Sequence, residues 1–345
     1  MKYVAMVAIV ALVAFTSADT GERVAAAGPT ETVAAATPAD TILMEGIELQ
    51  FHESGPTFGE VRAPTFRMSA SRGEWAESSQ HWTLENANAV IHREGQDDLL
   101  LSAARGFCDL EREVAVLSDG VHARTGDIEV DVADLHYDNE SGIARSDAHT
   151  KVTDGTNDLE GMSIEIDTRT DRVRLREGSG TIQMAAAQEP AAASGDAPAD
   201  SDSRYESLDL EFKGEMKLNM ETTQLEEVTK DVVLTMYGVV PADNLKVQAQ
   251  KVTFMYLTKT DKKPQLIRLT GGVSLEHSAG NGRADEVVVN FITGNVEFRG
   301  NAELTGERFD AARAPVITIN LFTKDAVIGP GGASVQRVRL KEDEP

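Results

Sequence analysis

LHYDNES at residues 135–141, IEIDTRT at 164–170, VVVNFIT at 287–293 and ITINLFT at 317–323 are four copies of one short pattern. In each copy two apolar residues flank a single residue, Asp or Asn follows, and Ser or Thr stands three places further on. The apolar pairs are Leu135 and Tyr137, Ile164 and Ile166, Val287 and Val289, and Ile317 and Ile319. The turn residues that follow them are Asp138, Asp167, Asn290 and Asn320. Six positions after each turn residue comes a small or apolar side chain: Ala144, Val173, Val296 or Ala326. Apolar alternation of period two, a polar break and resumed alternation is how the arm of a β-hairpin is written. Asp138 and Asp167 lie 29 residues apart, Asn290 and Asn320 lie 30 apart, and Asp109, in the weaker copy GFCDLEREVAVL, precedes Asp138 by 29. A fixed period of this kind marks a repeated β unit, here two strands with their turns.

Outward from these copies the same grammar continues. Ile42, Met44, Ile47, Leu49 and Phe51 are consistent with strands on either side of Gly46, and Ile128, Val130 and Val132 alternate with acids. The later segments LDLEFKGEMKLNM, VVLTMY, LKVQAQKVTFMYLT, LIRLTGGVSLEH and NVEFRGNAEL repeat it. Only Thr222 to Lys230 invites a helical turn or two, and no segment sustains an apolar period of 3.6. The expected fold is therefore all-β. Propeller blades need ~40 residues or more and aromatic packing, so units of 29 to 30 residues with few aromatics favour stacked antiparallel two-strand units. Such a stack leaves a sheet edge at each end, and a free edge pairs with another strand.

The chain has 345 residues, above the usual ~100 to 200 per domain, so two modules or one long stack are expected. Residues 185–203, AAAQEPAAASGDAPADSDS, hold no large apolar side chain and divide the chain. The reading is an N-terminal segment 1–18, a tether 19–40, a first module 41–184, a linker 185–204, a second module 205–340 and an acidic tail 341–345. With 57 acids against 33 bases the net charge is −24, a surface that repels phosphate backbones and makes nucleic acid an unfavourable partner. Lys2, the apolar run from Tyr3 to Phe15 and the small residues Thr16-Ser17-Ala18 read as an export signal. The segment is either cleaved or kept as a short membrane anchor. No Cys follows the run, so lipid modification there is not expected.

Residues that carry chemistry are sparse. Cys108 is the single cysteine, flanked by Phe107 and Asp109, and reads as a buried strand residue. The seven histidines show no metal-ligand spacing, although His122 and His136 fall where a hairpin brings strands together. Asp127, Glu129 and Asp131 alternate along one strand and belong to its solvent face. The glycines of Thr270–Gly272 and of Gly329–Ser334 neither lead into a helix nor meet a Lys, so they read as turns. No catalytic residue, metal ligand or cofactor is expected, and the chain is not read as an enzyme.

The segments WTLENANAVI, LSDGVHARTGDIEVDVADLHYDNESGIARSDAHTKV and DLEGMSIEID of the first module resemble the LptC type of the OstA-like periplasmic lipopolysaccharide-export family. LIRLTGGVSLEH, RADEVVVNFITGNVEFRGNAEL and FDAARAPVITINL of the second resemble its OstA or LptA type. The resemblance implies a β-jellyroll, or folded-over sheet, whose apolar groove shelters the acyl chains of lipopolysaccharide or a similar amphiphile between inner and outer membrane. On that reading Leu135, Tyr137, Ile164, Ile166, Val287, Val289, Ile317 and Ile319 face inward and meet lipid. The implied partners are an inner-membrane export transporter and other OstA-like proteins joined by edge strands, and the implied location is the periplasm. The chain departs from the family's simple pattern by carrying both module types. Two other readings stay open: an envelope scaffold whose inward residues fill a closed core, and a carbohydrate-active enzyme on a β-stack, which would need paired carboxylates in a cleft.

Overall fold

The computed structural model describes residues 41–52, 64–77, 79–184, 205–238, 241, 244–278, 280–306, 309–320, 325–329 and 336–339. The expected N-terminal segment and tether (1–40), the linker (185–204) and the acidic tail (341–345) lie outside the described residues. Nineteen strands follow one another: β1 (Thr41–His52), β2 (Pro64–Ala76), β3 (His81–Ile91), β4 (Leu99–Asp109), β5 (Val114–Thr125), β6 (Ile128–Asp138), β7 (Ile143–Ser146), β8 (Thr150–Thr153), β9 (Asp158–Asp167) and β10 (Arg172–Gln183) precede residues 185–204. After them come β11 (Tyr205–Asn219), β12 (Gln224–Gly238), β13 (Leu245–Met255), β14 (Leu266–His277), β15 (Gly280–Asn290), β16 (Asn295–Gly306), β17 (Phe309–Asn320), β18 (Asp325–Ile328) and β19 (Gln336–Arg339).

Each strand pairs antiparallel with the next, so the sheet is one continuous meander. The exception is β7 and β8, which together occupy one place between β6 and β9. Across residues 185–204 the pairing is unbroken: β10 meets β11 from Arg172↔Asn219 to Gln183↔Ser207. The all-β antiparallel architecture expected from the repeats is found, and the sheet is folded over as the resemblance implied. Three local expectations are corrected. Thr270–Gly272 is not a turn but a bulge inside β14, which runs on to His277. Thr222 to Lys230 is not helical but a turn followed by the start of β12, because Leu225 and Val228 join the inward face and Asn219 closes the turn before them. Likewise β1 runs unbroken through Gly46, which sits at φ +65°.

Strand sequences explain how one sheet makes its own core. Inward residues alternate with polar ones, but in the middle of several long strands one inward place is skipped. In β5, Ala115 and Leu117 are buried and then Val121 and Ala123, with Asp119 and Gly120 between them at positive φ. β14 skips at Gly271 and Gly272, and β16 at Gly300 and Asn301. The strand pairings slip register at the same places. These are bulges, and aligned bulges bend a sheet. Along that line the two halves of these strands turn toward each other. The Phe66 ring of β2 stacks on Tyr137 of β6 at 5.2 Å, and Tyr205 of β11 meets Phe291, just past β15, at 6.4 Å, though neither pair belongs to neighbouring strands. A single buried apolar cluster runs from Ile47 to Ile317 through the interior.

The candidate lipid-facing interior and its seam

The repeated pattern builds one rim of the folded sheet. Asp109↔Val114, Asp138↔Ile143, Asp167↔Arg172, Asn219↔Gln224 and Asn290↔Asn295 each close a four-residue loop. The side-chain Oδ1 at the head of each loop accepts backbone N–H groups two or three residues on: from Glu111 and Arg112 (3.1 and 3.0 Å), Ser141 (3.0 Å), Arg169 and Thr170 (3.0 and 3.1 Å), Thr222 (3.0 Å), and Ile292 and Thr293 (both 3.0 Å). Asp and Asn favour such turns because the short side chain stands in for a backbone carbonyl. The last loop residue is left-handed in all five: Glu113, Gly142, Asp171, Thr223 and Gly294. The loop after Asn320 lies outside the described residues.

Asn219 heads a fifth full copy that the sequence reading passed over. Met216, Leu218, Asn219 and Thr222 obey the pattern, and Leu225 stands six places after Asn219. The signal was present, but residues 185–204 stretch its spacing from Asp167 and break the period.

The apolar residue pairs ahead of these turns line the interior just below that rim. Leu135, Tyr137, Ile164, Ile166, Val287, Val289 and Ile317 are buried, and Ile319 is half-buried against the same core. The register brings them into rows. One runs Ile164, Leu175, Met216, Val228, Val252, Leu269, Val287, Phe298 and Ile317, crossing nine strands and the join of β10 with β11. A parallel row holds Tyr137, Ala144, Ile166, Val173 and Leu218, and another holds Phe254, Ile267, Val289, Val296 and Ile319. The interior is filled by these side chains. Beneath the rims a cavity of about 20 Å³, lined among others by Leu159, Ile182, Leu218, Leu225 and Tyr256, has room for about one water molecule.

Chemistry inside is apolar. The buried polar residues Arg93, Thr125, Asn139, Thr168 and Thr223 stand at the rims, and Ser146 and Thr150 at the gap between β7 and β8. Burial pushes the Tyr137 phenol up to about 12, against a pull downward from Thr168 and Arg169. Burial, with Asp109 adding to it, likewise pushes the Cys108 thiol up to about 12. On the outer face charges pair across strands. Arg174 meets Glu165 at 2.5 Å, and Lys217 meets Glu227 at 3.1 Å. The hydrogen bond from Lys251, opposed by partial burial and joined by Lys217, holds the Glu227 carboxyl below its ordinary value. His122 and His136 are not brought together. His122 Nδ1 lies 2.9 Å from Asp131, and His136 Nε2 lies 3.3 Å from Asp134. Asp127 and Asp131 are exposed and Glu129 half-exposed, on the outer face. Among the described residues no helix is long and apolar enough to cross a membrane.

A second rim, formed by the opposite strand ends, meets the turn rim along a seam. Thr65 Oγ1 donates to Asn139 Oδ1 at 3.0 Å, and Lys262 Nζ lies 3.7 Å from Asp127. Between them Arg93 reaches over from the loop after β3. Its Nη1 donates to Asp171 Oδ1 at 2.7 Å and approaches Met220 Sδ at 4.0 Å, and its Nη2 donates to Thr125 Oγ1 and to the Asp97 carbonyl.

A family model described as lipopolysaccharide-assembly, LptC-related, matches residues 7–183, just over half of the chain and ending on the last residue of β10. No curated protein matches the chain. A sheet folded around an apolar interior and a family match over β1 to β10 lead to one conclusion: the chain belongs to the LptC-related lipopolysaccharide-assembly family, and its role lies in lipopolysaccharide transport.

Proposed function

We propose that this chain shelters the acyl chains of lipopolysaccharide inside its folded sheet and hands them on from the inner toward the outer membrane. The observation that carries the reading is the unbroken row from Ile164 to Ile317, an apolar track that continues from the LptC-related stretch into the strands after it. Each buried methylene of a guest chain contributes about 0.8 kcal/mol, so affinity accumulates from small contacts along the track and sliding stays easy. A surface of net charge −24 offers a phosphorylated headgroup no electrostatic hold, and the headgroup stays in solvent.

In the same reading β1 to β10 form an LptC-type module and β11 to β19 an OstA or LptA-type module, joined in one chain. The protein works in the periplasm beside an inner-membrane transporter, with residues 1–18 as signal or anchor. The strands β1 and β19, each paired on one side only among the described residues, receive partner strands. The test is binding of purified lipopolysaccharide to the full chain during gel filtration. Competition by a single-chain detergent and none by the delipidated sugar is expected. Binding that the sugar alone abolishes contradicts acyl capture. The closed-scaffold reading is favoured by the packed interior, and it predicts no co-elution.

A further inference from the structure

We infer that the Arg93–Asp171 ion pair is the latch of a lateral gate: acyl chains reach the interior by parting the seam between the two rims, and this pair holds the seam shut. The inference rests on the acyl-shelter reading and names how that site is opened.

Two lines join the halves of the folded sheet, and they differ in kind. Along the bend these strands pass from one half to the other, so parting the halves there would tear the backbone ladder. At the seam, among the described residues, backbone hydrogen bonds run along each rim, as from Met220 N–H to the Asp171 carbonyl and from His92 N–H to the Thr65 carbonyl, and none crosses. Side chains alone close it, so the seam is the line of least resistance. The Phe66–Tyr137 and Tyr205–Phe291 rings also meet across it, and of its polar contacts Thr65 to Asn139 is a single neutral bond. Lys262 and Asp127 are both largely in solvent, where an ion pair contributes little. Arg93 is different, with 4% of its side chain exposed and that of Asp171 17%.

A charged pair at this place has a property an apolar pair lacks. Buried and paired, it fixes the register of the rims. Separated, both charges regain water, whereas two apolar side chains would resist exposure. The remaining donors of Arg93, on Thr125 and Asp97, belong to its own rim, so opening breaks its link to Asp171 and Met220 and leaves the rest in place. The packed interior needs such a device, since among the described residues the inward side chains are buried against one another in a single cluster.

The test follows the rate at which purified lipopolysaccharide is captured by a photo-crosslinker placed at Ile166 in the full chain. Asp171→Asn removes the cross-seam charge while sparing the bonds within the other rim, and it should speed capture about tenfold, a coupling of ordinary size. Arg93→Cys with Asp171→Cys, joined by a reducible bismaleimide, should slow capture to the level of a crosslinker at the exposed Met162, and reduction of the tether should restore it. Cys108, buried, stays unlabelled. A lower melting temperature with unchanged capture by Asp171→Asn overturns the latch, leaving the pair a structural brace. A tether without effect overturns it as well, because chains then enter at the ends. No capture by the parent chain, by Asp171→Asn or by the reduced protein defeats the acyl-shelter reading itself, and the latch with it.

Discussion

Leu175 of β10 and Met216 of β11 face each other in the antiparallel register, each 1% exposed, although residues 185–204 separate their strands in the chain. The segment divides the sequence without dividing the core. Strands β9 to β12 are therefore expected to unfold as one unit. Leu175→Ala should cost about 2–5 kcal/mol, the usual range for a large-to-small change in a packed site. Hydrogen exchange should show β9 and β12 losing protection together in that variant. Loss confined to β9 and β10 would contradict the shared core.

At Gly178 the sheet leaves no room for a side chain. A Cβ there would lie 1.9 Å from the Glu160 carbonyl oxygen of β9, at the place where β10 slips register against β11. Only backbone movement relieves such a contact. Gly178→Ala should lower stability by about 1–3 kcal/mol in a denaturant melt. An unchanged midpoint would show that the bend tolerates a methyl group.

The turn at Asp167 ties stability to pH. Partial burial raises its carboxyl, but the hydroxyl and N–H of Thr170, the N–H of Arg169 and the charge of Arg174 outweigh that, and the group lies below its ordinary 3.8. A lowered folded value means that its contribution is full above 3.8 and is lost as the pH falls through the lowered value. Asp167→Ala removes an acceptor of two N–H groups and should destabilise by about 1 kcal/mol at neutral pH. Asp167→Asn keeps the turn, as Asn219 and Asn290 do at equivalent loops, and should be nearly neutral there while flattening the acid side of the pH–stability curve. An acid limb identical to the parent's would contradict the assignment.

These turns are also where sequence reading succeeded best. A pattern of two inward residues and one Asx turn is local, so Leu135 through Ile319 could be placed on the inner face without knowing the fold. The rows those residues form depend on register between strands far apart in the chain, and no local pattern encodes it. Arg93 was invisible for the same reason. Its partners Asp171 and Met220 lie 78 and 127 residues away and meet it only because the bulges fold the sheet. One bulge was half legible: Gly271-Gly272 reads as a turn when it is a bend within β14, whereas Asp119-Gly120 in β5 gave no such signal. The fifth repeat at Asn219 was lost to spacing.

Cys108 reports on the core directly. With its thiol pushed up to about 12 by burial and by Asp109, it should resist a maleimide at pH 8 and react only as fast as the protein opens. Because the folded value is raised above the ordinary 9.0, the associated stability is full below 9.0 and lost as the pH rises toward about 12. Rapid labelling of the native chain at pH 8 would contradict a closed interior around β4.

Acyl shelter requires the inner face of this sheet to carry lipid. Photo-crosslinkers at the inward Ile166 and Val289, compared with the exposed outward Met162, test it most directly in the presence of purified lipopolysaccharide. Lipid adducts are expected at both inward positions and none at Met162. Equal labelling at all three, or adducts with protein alone, would contradict it.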